Sequence, residues 1–238
     1  MRFAKRTVGV TSHYMPGQTN INPVRHSKPD HTPFTVDQEI VNSLIHMFGI
    51  LFGVVCVPVL IVLAAKSERP SIVAGVAVYG FSFLMLFTFS ALYHSFQQIR
   101  VKRVLEIIDH ISIYFLIAGT YTPFLLIYLR DTFGITLLVT LWTLTVLGIF
   151  FKILYTGRFD KVSVIIYLAM GWILLAGGKR FFTALPSNVL TFIFIGGALY
   201  SLGIVFYLWR GFRWHHAVWH FLVLAAAIAH YVAVLLSL

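Results

Sequence analysis

The chain has 238 residues, of which 59% are hydrophobic and only 11% are charged, and its mean hydropathy is +0.86. Soluble proteins carry about 25% charged residues, so this composition excludes a soluble domain and indicates an integral membrane protein. The net charge of +10 is spread over short clusters between apolar runs rather than along one basic face. We therefore expect no nucleic-acid partner.

Residues 1–35 form a polar stretch rich in Pro, Asn and His. The stretch lacks the apolar segment of about 7–15 residues that a cleavable signal peptide needs, so we expect a flexible cytoplasmic tail. Thr35 and Gln38 resemble a capping box, which predicts that the first helix begins ahead of the membrane. Residues 36–238 are predicted to form one transmembrane domain.

Seven apolar segments follow the tail, and each is long enough for the roughly 20-residue span that a bilayer requires. Because the linkers between them are short, successive helices are expected to pack antiparallel in one all-α, seven-helix bundle. The predicted spans are 43–65, 71–94, 107–129, 133–155, 161–179, 187–209 and 214–236.

The distribution of basic residues predicts the orientation of this bundle. The tail and the second, fourth and sixth linkers carry most of the Lys and Arg residues. The opposite side carries only Lys66, Arg69, Arg130, Lys179 and Arg180. Because basic loops stay inside, we expect a cytoplasmic amino terminus, an outside carboxy terminus and a multi-pass protein of the cell membrane.

Polar residues interrupt the apolar pattern in four places, and residues three or four apart share one helix face. In a bundle of alternating helices, the start of helix 1, the end of helix 2 and the starts of helices 3 and 7 lie on one side. We therefore expect a single site there. Its candidate residues are Glu39, Asn42 and His46 on helix 1, Ser90 and His94 on helix 2, Asp109 in the first turn of helix 3, and His216 and His220 on helix 7.

Three of these residues, His94, His216 and His220, have the character of a catalytic zinc site. Three neutral imidazoles leave one coordination position open, whereas structural zinc sites are closed by four protein ligands. Zinc lowers the pKa of bound water to about 7. We expect Asp109 to act as the general base, and Ser90 to stabilise a developing oxyanion or to support the site.

Intramembrane histidines also have an ordinary role as hydrogen-bonded residues between helices, and this alternative stays open for His46 and His110. His230 lies about 15 Å deeper than His220 at 1.5 Å per residue. That distance is too large for the same ion, so His230 is predicted to be a packing residue.

The motifs together resemble the progestin and adipoQ receptor family, and the strings at 91–95, 118–123 and 215–220 resemble its bacterial hemolysin III branch. The resemblance covers about residues 36–238 and implies seven helices with a cytoplasmic amino terminus. It also implies zinc ligation by His94, His216 and His220, with the zinc-bound water held by Asp109. Eukaryotic members are similar to ceramidases, which cleave a lipid amide.

The function expected from the residues and the resemblance is zinc-dependent hydrolysis of a lipid amide or another acyl lipid, with a role in membrane lipid homeostasis. A membrane lipid is thus the expected substrate. Two alternatives stay open: a pore-forming or cytolytic protein, and a non-enzymatic sensor or receptor with structural zinc. Glu39, Asn42 and His46 have two candidate roles. They either support the metal ligands from behind or position the substrate.

Overall fold

The computed structural model describes residues 34–209 and 211–238, so the predicted tail lies outside the described residues except for Phe34 and Thr35. The described residues form eight α-helices and one short 3-10 helix. They are α1 (Val36–Ala65), α2 (Pro70–Ser95), α3 (Ile99–Tyr128), α4 (Thr132–Tyr155), α5 (Asp160–Gly171), the 3-10 helix (Ile173–Gly177), α6 (Gly178–Ala184), α7 (Ser187–Leu208) and α8 (His215–Leu235).

Six of the helices in the described part are long and apolar enough to cross a membrane, and the count becomes seven if the bent pair around Trp172 forms one span. Many large apolar side chains on these helices face outward, as expected where lipid replaces water as the solvent. The prediction of an all-helical, multi-pass membrane protein is confirmed.

The fifth predicted span, 161–179, is not one continuous helix. α5 ends at Gly171, and the chain continues through the 3-10 helix into α6 with a bend of 41°. Gly178, at the start of α6, has a φ of +50°. This backbone region strongly favours glycine, so Gly178 suits the junction between the 3-10 helix and α6.

The third helix begins at Ile99, well before the predicted start at residue 107. The added turns carry Arg100, Lys102 and Arg103. Because these residues are charged, the apolar pattern predicted a linker there. Asp109 consequently lies about three turns into α3, not in its first turn as predicted. The first helix also begins early, at Val36, where the Thr35 N–H donates to the Gln38 side chain at 2.8 Å as the capping motif predicted.

Close packing of α1, α2, α3 and α8 forms the half of the bundle that carries the polar residues. The core between these helices is aromatic, with Tyr79, Phe83 and Phe87 of α2 and Tyr114 of α3 fully buried. Gly49 of α1 faces the ring of Phe87, and a Cβ at this position would overlap that ring. This close approach brings the start of α1 against the end of α2.

Candidate metal site

Three histidines converge where the end of α2 meets the start of α8. One ring nitrogen from each of His94, His216 and His220 lies within 4.8 Å of the others. The Nε2 atoms of His94 and His220 are 3.0 Å apart. His94 and His220 are buried and His216 is half-buried. The pair on α8 shares one face because its members are four residues apart.

The spacing of these nitrogens fits a metal ion. Two nitrogen ligands at about 2.0–2.1 Å from a tetrahedral zinc ion lie roughly 3.3 Å apart, close to the separation of the two Nε2 atoms. Imidazole is a ligand suited to zinc and also to copper, iron and nickel. The donor set therefore fits a divalent transition-metal ion, and three protein ligands would leave a tetrahedral ion one position for another ligand.

Glu39 and Lys102 lie directly behind His94. The Nδ1–H of His94 donates to Glu39 Oε2 at 2.5 Å, and the Lys102 ammonium donates to Glu39 Oε1 at 2.7 Å. Lys102 also donates to the Tyr93 carbonyl at 3.0 Å. Both Glu39 and Lys102 are buried, so the two charges stabilise each other where water does not reach them.

His46 occupies the equivalent position behind His220. Its Nε2 atom lies 2.7 Å from Nδ1 of His220 and 3.0 Å from the hydroxyl of Ser90. His46 is thus hydrogen-bonded between helices, as one of the alternatives for it states, and one of its partners is a histidine of the cluster. Asn42, one turn earlier on the same face, is fully buried.

Ser90 also connects the cluster to Asp109. The Ser90 side chain lies close enough to the Asp109 carboxylate to interact with it. Asp109 faces the same cavity as His216 and His220, so the structure brings it to the histidines in spite of its different position along α3. His110 also faces this cavity, and its Nδ1–H donates to the Glu106 carbonyl at 2.6 Å.

The cavity has a volume of about 300 Å³. It extends from the histidine cluster to His230, deeper in the bundle, and its walls come mainly from α3, α5, α7 and α8. Apolar side chains such as Ile113, Leu116 and Phe124 form much of the surface, whereas polar groups gather near Asp109. A single acyl chain with a polar end suits this shape and chemistry.

The sequence did not predict that two further residues, Lys102 and Phe34, lie near the cluster. Lys102 was counted among the basic residues of a linker, whereas it lies within α3 and is buried against Glu39. Its spacing from Glu106 and Asp109, four and seven residues, is the signal that places it on their face of a longer helix. Phe34 stacks on His216 with ring centroids 4.3 Å apart, and a lone aromatic residue ahead of a helix carries no comparable signal.

Comparison with known proteins adds a second line of evidence. The family model described as "Haemolysin-III related" matches residues 34–231. The "Hemolysin-3 homolog" of Bacillus subtilis (strain 168) is 42% identical over 202 residues, which cover 85% of this chain and 95% of that protein. "Hemolysin-3" of Bacillus cereus is 40% identical over 200 residues, covering 84% and 91%. The human "Monocyte to macrophage differentiation factor" is 28% identical over 165 residues, covering 66% and 67%.

Proposed function

Because the chain belongs to the haemolysin-III related family, and because its histidine cluster borders an acyl-sized cavity, we propose that it is a zinc-dependent hydrolase of a lipid amide or ester. The observation that carries the proposal is the presence of His216, His220 and Asp109 around one cavity inside a membrane bundle. Ligands, an acid–base group and space for an acyl chain occur together there.

His94, His216 and His220 would hold the ion. Zinc in a site of this donor set supplies Lewis-acid chemistry, which lowers the pKa of water and polarises an acyl carbonyl. The cavity excludes bulk water along the acyl chain and orients the scissile bond toward the histidines.

Asp109 is the group that moves the proton. Its carboxylate accepts a proton from the attacking water as the water oxygen bonds to the acyl carbon. The carbon–nitrogen bond then breaks, and the proton passes from Asp109 to the departing amine, so that the products are a carboxylic acid and an amine. The Ser90 side chain, which lies beside Asp109, helps to hold the carboxylate in place for both transfers.

The experiment is hydrolysis of fluorescent acyl amides and acyl esters in mixed micelles by purified, zinc-loaded protein. We expect turnover by the wild type and none by His94→Ala, which lacks one ligand. Glu68→Gln is the control, because Glu68 belongs neither to the histidine cluster nor to the cavity wall, and it should retain turnover. Absence of hydrolysis for every amide and ester by zinc-loaded wild type would overturn the proposal.

Cytolysis is the second candidate, since two relatives carry the name hemolysin. It predicts leakage of dye from vesicles at a rate that does not depend on His94, His216 and His220. Hydrolysis predicts instead that any leakage is lost with the triple alanine variant of these residues. Measuring leakage and lipid cleavage in the same vesicles separates the two functions.

A further inference from the structure

We propose that the polar face at the start of α1 positions two of the metal ligands from behind: Glu39 orients His94, and His46 orients His220. The inference rests on the metal site of the proposed function and assigns a role to α1, whose polar residues had two candidate roles from sequence. On this inference α1 belongs to the metal site although it supplies no metal ligand.

The lining of the cavity argues against a role of Glu39, Asn42 and His46 in positioning the substrate. In the described part of the chain, its lining includes side chains from every long helix except α1. Glu39, Asn42 and His46 are all buried and are absent from the cavity wall. A lipid in the cavity therefore meets His216 and His220. Glu39 and His46 contact the histidine rings from α1, and their other partners are Lys102 and Ser90.

Glu39 determines which nitrogen of His94 is available. The carboxylate accepts only, so the proton of His94 must lie on Nδ1, at 2.5 Å from Glu39 Oε2. The lone pair is then on Nε2, the atom that faces His220. A carboxylate partner also raises the basicity of the ligating nitrogen and fixes the orientation of the ring.

Lys102 holds the Glu39 side chain in one orientation. Its ammonium donates to Glu39 Oε1, to the Tyr93 carbonyl and to the Phe96 carbonyl, at 2.7, 3.0 and 3.3 Å. These bonds tie the start of α1 to the end of α2 and to α3. The chain Lys102–Glu39–His94 thus connects three helices to one ligand.

His46 orients His220 as Glu39 orients His94, but through a neutral imidazole ring. When Nε2 of His220 is a ligand, its Nδ1 carries the proton and donates to His46 Nε2, at 2.7 Å. His46 must then carry its own proton on Nδ1. That atom is buried and has no hydrogen-bond partner among the described residues.

Asn42 is placed to complete this second chain. It precedes His46 by one turn on the same face, and its amide oxygen and nitrogen are both buried without a partner in the described part of the structure. Under this proposal its amide oxygen would accept from the Nδ1–H of His46 when the metal is bound. The spacing of Glu39, Asn42 and His46 therefore serves two ligands from one helix face.

The test is the zinc affinity of purified protein, measured by competition with a chromophoric chelator. Outer partners of metal-ligating histidines are worth about 10–100-fold in affinity. We expect a loss of this size for Glu39→Gln and for His46→Leu. His46→Gln keeps an acceptor oxygen and should lie closer to the wild type. Glu68→Gln and His230→Leu are matched controls outside the cluster and should bind zinc as the wild type does.

A second variant separates positioning from folding. Glu39→Gln alone leaves the Lys102 ammonium buried without its carboxylate, and this can unfold the chain. The double variant Glu39→Gln/Lys102→Met removes both charges. We expect it to regain the melting temperature of the metal-free wild type while its zinc affinity stays reduced.

The outcomes distinguish this inference from the proposed function. If the folded wild type binds no zinc, the proposed function fails and the inference fails with it. If the wild type binds zinc and the Glu39 and His46 variants bind it equally tightly, only the inference is overturned. Reduced affinity in the folded double variant supports it.

Discussion

The Nε2 atom of His94 lies 3.0 Å from the Nε2 atom of His220, although 126 residues separate them in the chain. Two imidazole nitrogens so close together share a single proton or a single ion. A proton shared by His94 and His220 would not involve the third histidine, His216. A shared ion would use all three rings, and the predictions about the metal follow from this proposal.

Replacing His216 and His220 together by alanine should abolish metal binding, because only one imidazole of the cluster remains. We expect about one zinc ion per chain in the detergent-purified wild type and none in His216→Ala/His220→Ala, measured by elemental analysis. His215→Ala and His230→Ala should each retain the metal. Zinc at the wild-type level in the double variant would rule out the site.

The position of the cluster was predictable because helix ends alternate between two sides of a membrane. His94 ends one helix and His216 begins another, so topology alone brings them to one side, and the spacing of His216 and His220 gives them one face. The same argument placed Glu39 and His46 nearby. It did not give their partners, because a hydrogen bond depends on the rotation of each helix about its axis.

Other features were not predictable from apolarity. The charge of Lys102 is compatible with a loop or with a buried ion pair, and only the position of Glu39 on a different helix decides between them. The break after Gly171 lies within an apolar run, so a membrane span and a bent helix have the same hydropathy. In both cases the deciding contact is distant in sequence.

The Asp131 side chain is expected to stabilise the start of α4 at neutral pH. It accepts the Gly134 N–H at 3.0 Å and forms an ion pair with Arg180, and these interactions hold the pKa of the Asp131 carboxyl below its ordinary value. Stability from a lowered pKa is present at neutral pH and is lost as the pH falls through the folded-state value.

Asp131→Ala should therefore lower the melting temperature at pH 7, because it removes both interactions, whereas Asp131→Asn keeps an acceptor for Gly134 and should lower it less. The difference between wild type and Asp131→Ala should shrink in acid. An equal melting temperature for all three proteins at pH 7 would show that the start of α4 does not need this cap.

The bent pair α5–α6 is expected to cross the membrane. The start of α1, the end of α2 and the start of α8 meet at the histidines, so they lie on one side. α4 ends on that same side, and α7 must end there to deliver α8. The chain between α4 and α7 must therefore pass to the other side.

A topology reporter tests this crossing. A reporter fused after Leu238 should appear outside the cell, as should one inserted at 185–186, whereas one inserted at 157–158 should be cytoplasmic in accordance with the basic residues on that side. A cytoplasmic signal at both 185–186 and Leu238 would make α5–α6 a re-entrant segment and would contradict the seven-span bundle.

Phe34 is expected to slow exchange of the metal with the surrounding solution. Its ring stacks on His216 at 4.3 Å, and the segment that carries it is tied to the loop before α8 by the Asp37–Arg213 ion pair. Phe34→Ala should therefore increase the rate at which a soluble chelator removes zinc, with little change at equilibrium. Phe212→Ala removes an aromatic ring that does not stack on His216, and it should leave the rate unchanged. Equal rates for all three proteins would show that Phe34 does not cover the site.

Asp109→Asn should retain the metal and lose hydrolysis. The amide keeps the shape of the carboxylate beside Ser90, but it cannot take a proton from water. Loss of a general base lowers turnover by about 10²–10⁴-fold. Turnover of an acyl amide and zinc content should be measured on the same preparation, with Glu68→Gln as an acid-to-amide control remote from the cluster. Loss of zinc in Asp109→Asn would show that the carboxylate is needed for metal binding. Full zinc content and an unchanged rate would exclude Asp109 as the base and assign the proton transfer to another group of the cavity.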